Sequence, residues 1–266
     1  MDREKAIGIF DSGVGGLTVL KEIIEVLPEE DTIYLGDTAR LPYGTKSPAT
    51  VLKYALQNAR FLLSKDIKLL IVACNTASST CLPQLQATLS IPIIGVIEPG
   101  ARAAIANSRN GCIGVIGTET TINSGAYQQA LYSLNPNTHC VTQICPLFVP
   151  LVEEGWETDE ITLLVARRYL TPLREVGIDT LILGCTHYPR LKSAIGEAIA
   201  EGVALIDSAR ETALEIRRIM EKAGGLKSYK ADPQRYYYVT DQPDKFIKIG
   251  NRFLPIDPSQ VCQIDL

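Results

Sequence analysis

Short apolar segments alternate along this chain with longer segments in which apolar residues recur every three or four positions. The short segments are typical of buried strands, and the longer ones are typical of helices packed against a sheet. Their alternation indicates right-handed βαβ units and mostly parallel sheets. Strands are predicted at residues 6–10, 32–36, 69–73, 93–97, 112–116, 140–144, 180–183 and 203–206.

Helices are predicted between most of these strands. Ser47 and Pro48 form an N-cap followed by proline at the first helical position, and they predict a helix that continues to about Lys65. Gly224-Gly225 closes another helix, which begins at Arg210. Further helices are predicted at 17–27, 124–134, 159–174 and 188–200, with a proline-interrupted helix between the strands at 69–73 and 93–97.

The length of the chain allows one large domain or two interlocked ones, since 266 residues exceed a typical single domain. The region after Gly225 does not continue the alternation. Tyr236-Tyr237-Tyr238 and Lys245–Ile249 stand there among several prolines, and they predict small edge strands and loops.

The balance of charges and the composition of the first residues argue against some classes of protein. The 26 Lys and Arg residues nearly balance the 30 Asp and Glu residues, which argues against a nucleic-acid-binding protein. The first five residues are mostly charged, unlike a signal peptide, and the apolar runs fall far short of the ~20 residues that span a bilayer. We therefore expect a soluble, cytoplasmic protein with neither nucleic acid nor membrane as a partner.

Two of the predicted strands end in a cysteine followed by small polar residues. Residues 69–73 lead into Cys74-Asn75-Thr76, and residues 180–184 lead into Cys185-Thr186-His187. Ligands of open α/β sheets bind just beyond the carboxyl ends of strands, so both thiols are expected at a binding edge. Two equivalent cysteines in two half-domains suggest a substrate held between two thiols.

The other cysteines are expected to be small buried apolar residues. The total of seven is odd, and no C-x-x-C spacing occurs, which argues against a disulfide framework and a structural zinc site. We therefore predict no metal site. The five cysteines in question are Cys81, Cys112, Cys140, Cys145 and Cys262.

A weak internal repeat supports two related halves. Asp11 follows a predicted strand 63 positions before Cys74, and Thr118 follows one 67 positions before Cys185. The turn at 11–16 is glycine-rich but lacks both the third glycine of a dinucleotide fingerprint and the lysine of a P-loop. It still presents backbone N–H groups at a helix start, where a carboxylate binds as well as a phosphate.

Neutral groups suited to a carboxylate accumulate around these turns: Asn75, Thr76, Thr118, Thr121 and Thr186. With two thiols, they suit a reaction that removes an α-proton from an amino acid on one face and returns it on the other. No motif offers the Schiff-base lysine that pyridoxal phosphate requires. His187 and Asp11 are candidates to assist a thiolate. A cysteine hydrolase with His187 as base and a non-catalytic amino-acid-binding protein remain alternatives.

Five motifs stand in order along the chain: GIFDSGVGGLTV at 8–19, PYG at 42–44, ACNTAS at 73–78, GVIGT at 114–118 and GCTHYP at 184–189. Together they resemble the bacterial glutamate racemases, within the aspartate/glutamate racemase superfamily, over residues 8–208. The sister activity, aspartate racemase, would use the same thiol pair.

The resemblance implies that Cys185 deprotonates L-glutamate and that Cys74 deprotonates D-glutamate, with no cofactor. It also implies that Glu153 assists the second cysteine and that Asp37 assists the first. The substrate-contacting or thiol-orienting residues it implies are Asp11, Ser12, Tyr43, Gly44, Asn75, Thr76, Thr186 and His187.

The resemblance implies two pseudo-symmetric α/β domains with mostly parallel sheets that face each other across a central cleft. The first domain would comprise residues 1–97 plus 209–266, and the second residues 98–208. It further implies a homodimer, and a product, D-glutamate, that is a precursor of peptidoglycan.

Overall fold

The computed structural model describes residues 1–227 and 232–266, and within them the strands form two sheets. The strands are β1 Ile7–Asp11, β2 Thr32–Gly36, β3 Leu69–Val72, β4 Ile93–Gly95, β5 Cys112–Gly117, β6 His139–Ile144, β7 Thr180–Gly184, β8 Ala204–Asp207, β9 Arg235–Val239 and β10 Val261–Gln263. The first sheet has the order β10-β9-β2-β1-β3-β4 and the second has the order β6-β5-β7-β8. Every strand pair is parallel, as the alternating pattern predicts.

The two sheets share one topology. The order β2-β1-β3-β4 in the first matches β6-β5-β7-β8 in the second, so the strand that precedes each cysteine lies beside the strand of the polar turn. Since all strands are parallel, Asp11 and Cys74 lie at one carboxyl edge, and Thr118 and Cys185 lie at the other. The sheets confirm the two-part α/β fold, whereas the domain boundaries at 97/98 and 208/209 stay a prediction.

The helices are α1 Leu17–Val26, α2 Pro48–Leu63, α3 Asn75–Thr88, α4 Ile97–Asn107, α5 Glu119–Asn123, α6 Ala126–Leu134, α7 Phe148–Glu154, α8 Glu160–Val176, α9 Lys192–Ala198, α10 Ser208–Lys222 and α11 Pro243–Gly250. Short 3₁₀ turns lie at Tyr43–Thr45, Tyr188–Leu191 and Pro258–Gln260. Buried apolar faces of these helices cover the sheets, and β1 is buried along its whole length. None of the helices in the described ranges has the length and apolar character needed to cross a membrane.

The helices differ from the sequence-based expectation in two ways. Three helices are additional, and one helix that is predicted as interrupted is continuous. The strand predicted at 93–97 ends at Gly95, and α4 begins at Ile97 because Pro99 is tolerated in a first helical turn. The short helices α5 and α7 are also additional. The helix predicted as interrupted is one element, α3, which runs through Pro83 while packing against α2.

The expectation for the carboxyl-terminal region is wrong in two respects. Tyr236-Tyr237-Tyr238 belongs to β9, which lies inside the first sheet between β2 and β10 rather than at its edge. Residues Lys245–Ile249 lie in α11, because Phe246 and Ile249, three positions apart, are buried on one face. The tertiary contacts of this face, including Phe246 against Tyr34, decide between helix and loop.

A buried ion pair lies at the amino-terminal end of the first sheet, away from the cysteines. Lys68 Nζ is 2.5 Å from Glu30 Oε2, and both side chains are at most 2% exposed. The same ammonium donates to the carbonyls of Arg3 and Gly225, and Glu30 Oε1 accepts from the Lys227 backbone N–H. The pair therefore joins the beginning of β3 to the first residues and to the segment after α10.

We expect Lys68→Met to lower the free energy of unfolding by about 3–5 kcal/mol, because it leaves the Glu30 carboxylate buried without its cation. Urea denaturation followed by circular dichroism measures this. Lys5→Met is the control, since Lys5 pairs with the largely exposed Asp66 and should change stability by less than about 1 kcal/mol. Equal effects of the two substitutions would contradict the assignment.

Candidate active site

A cavity of about 390 Å³ lies where the carboxyl edges of the two sheets meet. Cys74 reaches it from the first sheet and Cys185 from the second, and both side chains are less than 10% exposed. Of the residues predicted from the sequence, those that line the cavity are Ser12, Tyr43, Gly44, Cys74, Asn75, Thr76, Thr118, Glu153, Cys185, Thr186 and His187. The structure thus brings eleven of the fourteen predicted residues to one cavity, and Asp11, Asp37 and Thr121 lie outside its lining.

Cys74 lies in an apolar setting at the positive end of a helix. It is the N-cap residue of α3, and its Sγ is 3.8 Å from the hydroxyl of Ser12. Burial and, to a smaller degree, the nearby Asp11 carboxylate raise the pKa of the Cys74 thiol to about 12. Near neutral pH, Cys74 is therefore a thiol.

Cys185 is joined to a line of charged groups. Its Sγ is 3.9 Å from His187 Nδ1, and His187 Nε2 is 3.2 Å from Glu153 Oε1. Burial lowers the pKa of His187, but hydrogen bonds with Cys185 and Glu153 outweigh it and raise the pKa to about 10. Burial raises the pKa of Glu153, yet the bond from His187 holds it below its usual value. An imidazolium thus faces the Cys185 sulfur and favours negative charge there.

Asp11 lies behind the cavity wall and is fully buried. Its Oδ2 accepts from the Gly13 N–H at 3.0 Å, whereas Oδ1 has no hydrogen-bond partner among the described residues. Burial raises the pKa of the Asp11 carboxyl, against the opposing effects of His187 and the N–H groups of the turn. Asp11 therefore influences the charge on Cys74 from behind the wall.

Three threonine hydroxyls form a triangle where the half of the molecule built on the first sheet meets the half built on the second sheet. Thr76 Oγ1 is 3.0 Å from Thr118 and 3.1 Å from Thr121, and the latter two are 2.9 Å apart. Thr76 comes from the first half and the other two from the second, while Thr121 stands behind the cavity wall. Each hydroxyl has one proton to donate, so the three contacts of the triangle use all three protons, and a ligand could accept a proton only by replacing one side of the triangle.

Two glycines permit close approach of the halves. A Cβ on Gly15 would collide with the side chains of Thr186 and His187, and a Cβ on Gly44 would lie 2.6 Å from the Cβ of Thr118. In both places the backbone of the first half contacts a side chain of the second half. Glycine at these positions is required by packing at the cavity rather than by backbone conformation.

Asp37 lies one layer behind Tyr43. Its carboxylate accepts from the Tyr43 hydroxyl and from Thr240 Oγ1 at 3.0 Å, and it forms an ion pair with Arg40 at 2.8 Å. Burial raises the pKa of Tyr43, so its hydroxyl remains a donor. Asp37 thus reaches the cavity through Tyr43, and its assistance to Cys74 stays a prediction.

One apolar wall was not foreseen from the sequence. Pro146, Val149 and Pro150 line the cavity from α7 and the turn before it. The buried residues Phe148, Leu151 and Val152 follow helical spacing and could have indicated this helix. Further lining residues outside the prediction are Gly13, Leu41, Pro42, Thr45, Glu119 and Glu154.

The cavity can hold a small zwitterion between two thiols, with hydroxyl, amide and helix N-terminal donors for a carboxylate. In residues 1–227 and 232–266, no group of three or more His, Cys, Asp or Glu side chains is arranged to hold a metal ion.

Comparisons with known proteins agree with this geometry. The sequence model of the Asp/Glu/Hydantoin racemase family matches residues 7–216. The glutamate racemase of Geobacter metallireducens is 60% identical over 262 residues, 98% of this chain and 97% of that protein. A Bacillus anthracis glutamate racemase structure superposes with a TM-score of 0.95 at 42% identity, covering 99% of this chain and 98% of that one. A Francisella tularensis glutamate racemase in complex with D-glutamate gives 0.92 at 39% identity, with 99% and 98% covered. The chain therefore belongs to the Asp/Glu/Hydantoin racemase family, on its glutamate racemase branch.

Proposed function

We propose that this chain interconverts L-glutamate and D-glutamate by proton transfer at Cα between Cys74 and Cys185. The observation that carries the proposal is that one cavity is lined by two thiols from two topologically equivalent sheets. The substrate class is supported by the 60% identical glutamate racemase and by the related protein whose structure contains D-glutamate.

The unequal environments of the thiols support a direction for each. With the His187 imidazolium 3.9 Å from its sulfur, Cys185 is the thiolate that takes the α-proton of L-glutamate. Cys74, whose pKa is raised to about 12, is the thiol that gives a proton to the opposite face. The Cα–H electron pair remains on carbon until the second proton arrives, and the configuration is inverted. The reaction of D-glutamate exchanges the two roles.

Charge on the substrate helps both steps. The substrate ammonium group is proposed to lie on the side of Asp11 and Ser12, where its positive charge would favour a thiolate at Cys74 in the D-to-L direction. Asn75, Thr76 and Thr186 are proposed to donate to the α-carboxylate, which gains electron density as the α-proton leaves. Glu153 acts through His187, to which it is hydrogen-bonded.

The wider setting is proposed on the same resemblance. D-glutamate formed in this way would supply peptidoglycan synthesis in the cytoplasm. The homodimeric state stays a prediction.

We expect purified protein to racemise L-glutamate until optical activity is lost, and to act about 100-fold more slowly on L-aspartate, which is shorter by one methylene group. The protein is first dialysed against a chelator and a carbonyl reagent. Circular dichroism of the substrate then measures both rates. Activity that requires added pyridoxal phosphate or metal would overturn the two-thiol mechanism. An accumulating acyl-enzyme would instead support a cysteine hydrolase, and binding without exchange at Cα would support a binding protein.

We expect Cys74→Ala and Cys185→Ala each to lower racemisation by at least about 1,000-fold, because each removes a required acid or base. Each variant keeps one base, so each should still eliminate chloride from one enantiomer of β-chloroalanine. The carbanion electrons expel chloride, and the resulting 2-aminoacrylate hydrolyses to pyruvate and ammonia. Pyruvate should form mainly from the L-form with Cys74→Ala and mainly from the D-form with Cys185→Ala.

The control for this experiment is Cys81→Ala, which removes a buried thiol from α3 that does not line the cavity. It should racemise at close to the wild-type rate. If either active-site variant eliminated equally from both enantiomers, the assignment of one thiol to each face would be wrong.

We expect kcat/KM to fall as the pH rises through about 10, where His187 loses its proton. The fall should be identical for both enantiomers, since they have equal free energies and kcat/KM must match in the two directions. In His187→Asn the contribution of the imidazolium to this limb should be absent, which leaves only the loss of the substrate's own ammonium proton, and the plateau should be about 100-fold lower.

The His187 imidazole also makes the free energy of unfolding depend on pH. Its pKa is raised by folding, so its stabilising contribution is complete below about pH 6.5 and is lost as the pH rises through about 10. Urea denaturation over this range should show a smaller decline in His187→Asn than in the wild type. Matching declines would contradict the raised pKa.

A further inference from the structure

Tyr127 belongs to the second half of the molecule, and its side chain contacts a cavity residue of the first half. It lies in α6, is 1% exposed, and donates its phenol hydroxyl to Asn75 Oδ1 at 2.6 Å. Asn75 follows Cys74 directly and lines the cavity. A side chain remote in sequence from both cysteines thus contacts the residue beside one of them.

The Asn75 amide has one end occupied and one end free. Its Oδ1 accepts from Tyr127, while its Nδ2 is buried and has no hydrogen-bond partner in the part of the chain that the structure describes. A buried amide N–H without a partner is costly, so a polar ligand that accepts from it gains affinity. The phenol proton requires an acceptor, and this requirement decides which end of the amide remains free.

The ring of Tyr127 also contacts the other cysteine segment. Gly184, which precedes Cys185, packs so closely against it that a Cβ there would lie 3.1 Å from Tyr127 Cε2. Gly100 of α4 and Ser208 of α10 lie beside the same side chain. Tyr127 is therefore held by the second half and by both segments through which the chain crosses between the sheets.

We propose that Tyr127 is a positioning residue that fixes the Asn75 amide with Nδ2 directed at the α-carboxylate of the substrate. The α-carboxylate is the acceptor because Asn75 adjoins Cys74, whose thiol must reach Cα. This inference rests on the proposed function, since it assigns a contact in that same reaction.

Tyr127→Phe removes the phenol hydroxyl and retains the ring. We expect KM to rise about three- to tenfold for both enantiomers, the range of one lost hydrogen bond, while kcat changes less than twofold. In an Asn75→Ala background, Tyr127→Phe should change the affinity for racemic glutamate, measured by calorimetry, by less than 1.5-fold. An additive loss in the double variant would overturn the proposal, because Tyr127 would then act independently of Asn75.

Tyr188→Phe is the matched control, since it also removes a buried phenol hydroxyl, which donates to the Cys145 carbonyl at 2.8 Å. We expect it to lower the melting temperature about as much as Tyr127→Phe does, without the rise in KM. A similar rise in KM would show that loss of any buried hydroxyl has this effect, and would overturn the proposal.

A readout without substrate separates this inference from the proposed function. The side-chain amide signal of Asn75 in a ¹⁵N spectrum is identified by its loss in Asn75→Ala. It should shift and broaden in Tyr127→Phe and stay unchanged in Tyr188→Phe. If the wild-type protein fails to racemise glutamate, the proposed function fails, and this spectrum still decides whether Tyr127 holds the amide. An unchanged Asn75 signal in Tyr127→Phe would overturn the positioning role.

Discussion

In a parallel sheet every strand ends at the same edge, and this constraint determines where the polar groups of the candidate active site lie. The backbone of each strand must pair with its neighbours, so chemistry that needs free side chains is displaced to the turns that follow. Two sheets with one topology provide two such edges, and the cavity lies between them. The proposed racemisation needs groups on two faces of one carbon atom, and the duplicated edge brings one thiol to the cavity from each side.

The electrostatics of the site follow from burial rather than from net charge. Taking Cys74 out of water favours its neutral form, whereas Cys185 shares its burial with an imidazolium and a carboxylate. The two thiols thus have different electrostatic surroundings, although their strands are equivalent. The proposed substrate, glutamate, would add one ammonium group and two carboxylate groups to this arrangement. Its ammonium group can compensate for Asp11, which keeps one oxygen without a partner among the described residues.

The sequence pattern predicts what depends on local contacts and fails where tertiary contacts decide. Strands that are buried on both faces of a parallel sheet are continuous apolar runs, and such runs are recognisable in the sequence whichever strands they pair with. The positions of β1 to β8 are therefore predictable within a few residues. In contrast, α11 is predicted as a small edge strand or loop, because its helix is decided by tertiary packing, including that of Phe246 against Tyr34. At the site, the polar residues after the strands are predictable from position. Tyr127 is not, because nothing in its neighbourhood in α6 indicates a partner 52 positions earlier. The contact of Asp37 with Tyr43 is likewise not predictable from the pattern of residues along the chain.

The two glycine contacts at the cavity have a consequence for precision. At Gly15 and Gly44, backbone of one half touches side chains of the other, with no intervening Cβ to bend or rotate. The spacing of the two halves is therefore set on one side by backbone atoms, not by the thiols, which in the proposed mechanism exchange protons with Cα across that spacing. Proton transfer between sulfur and carbon depends steeply on distance. The width of the reacting gap is thus specified by two residues that have no side chain at all.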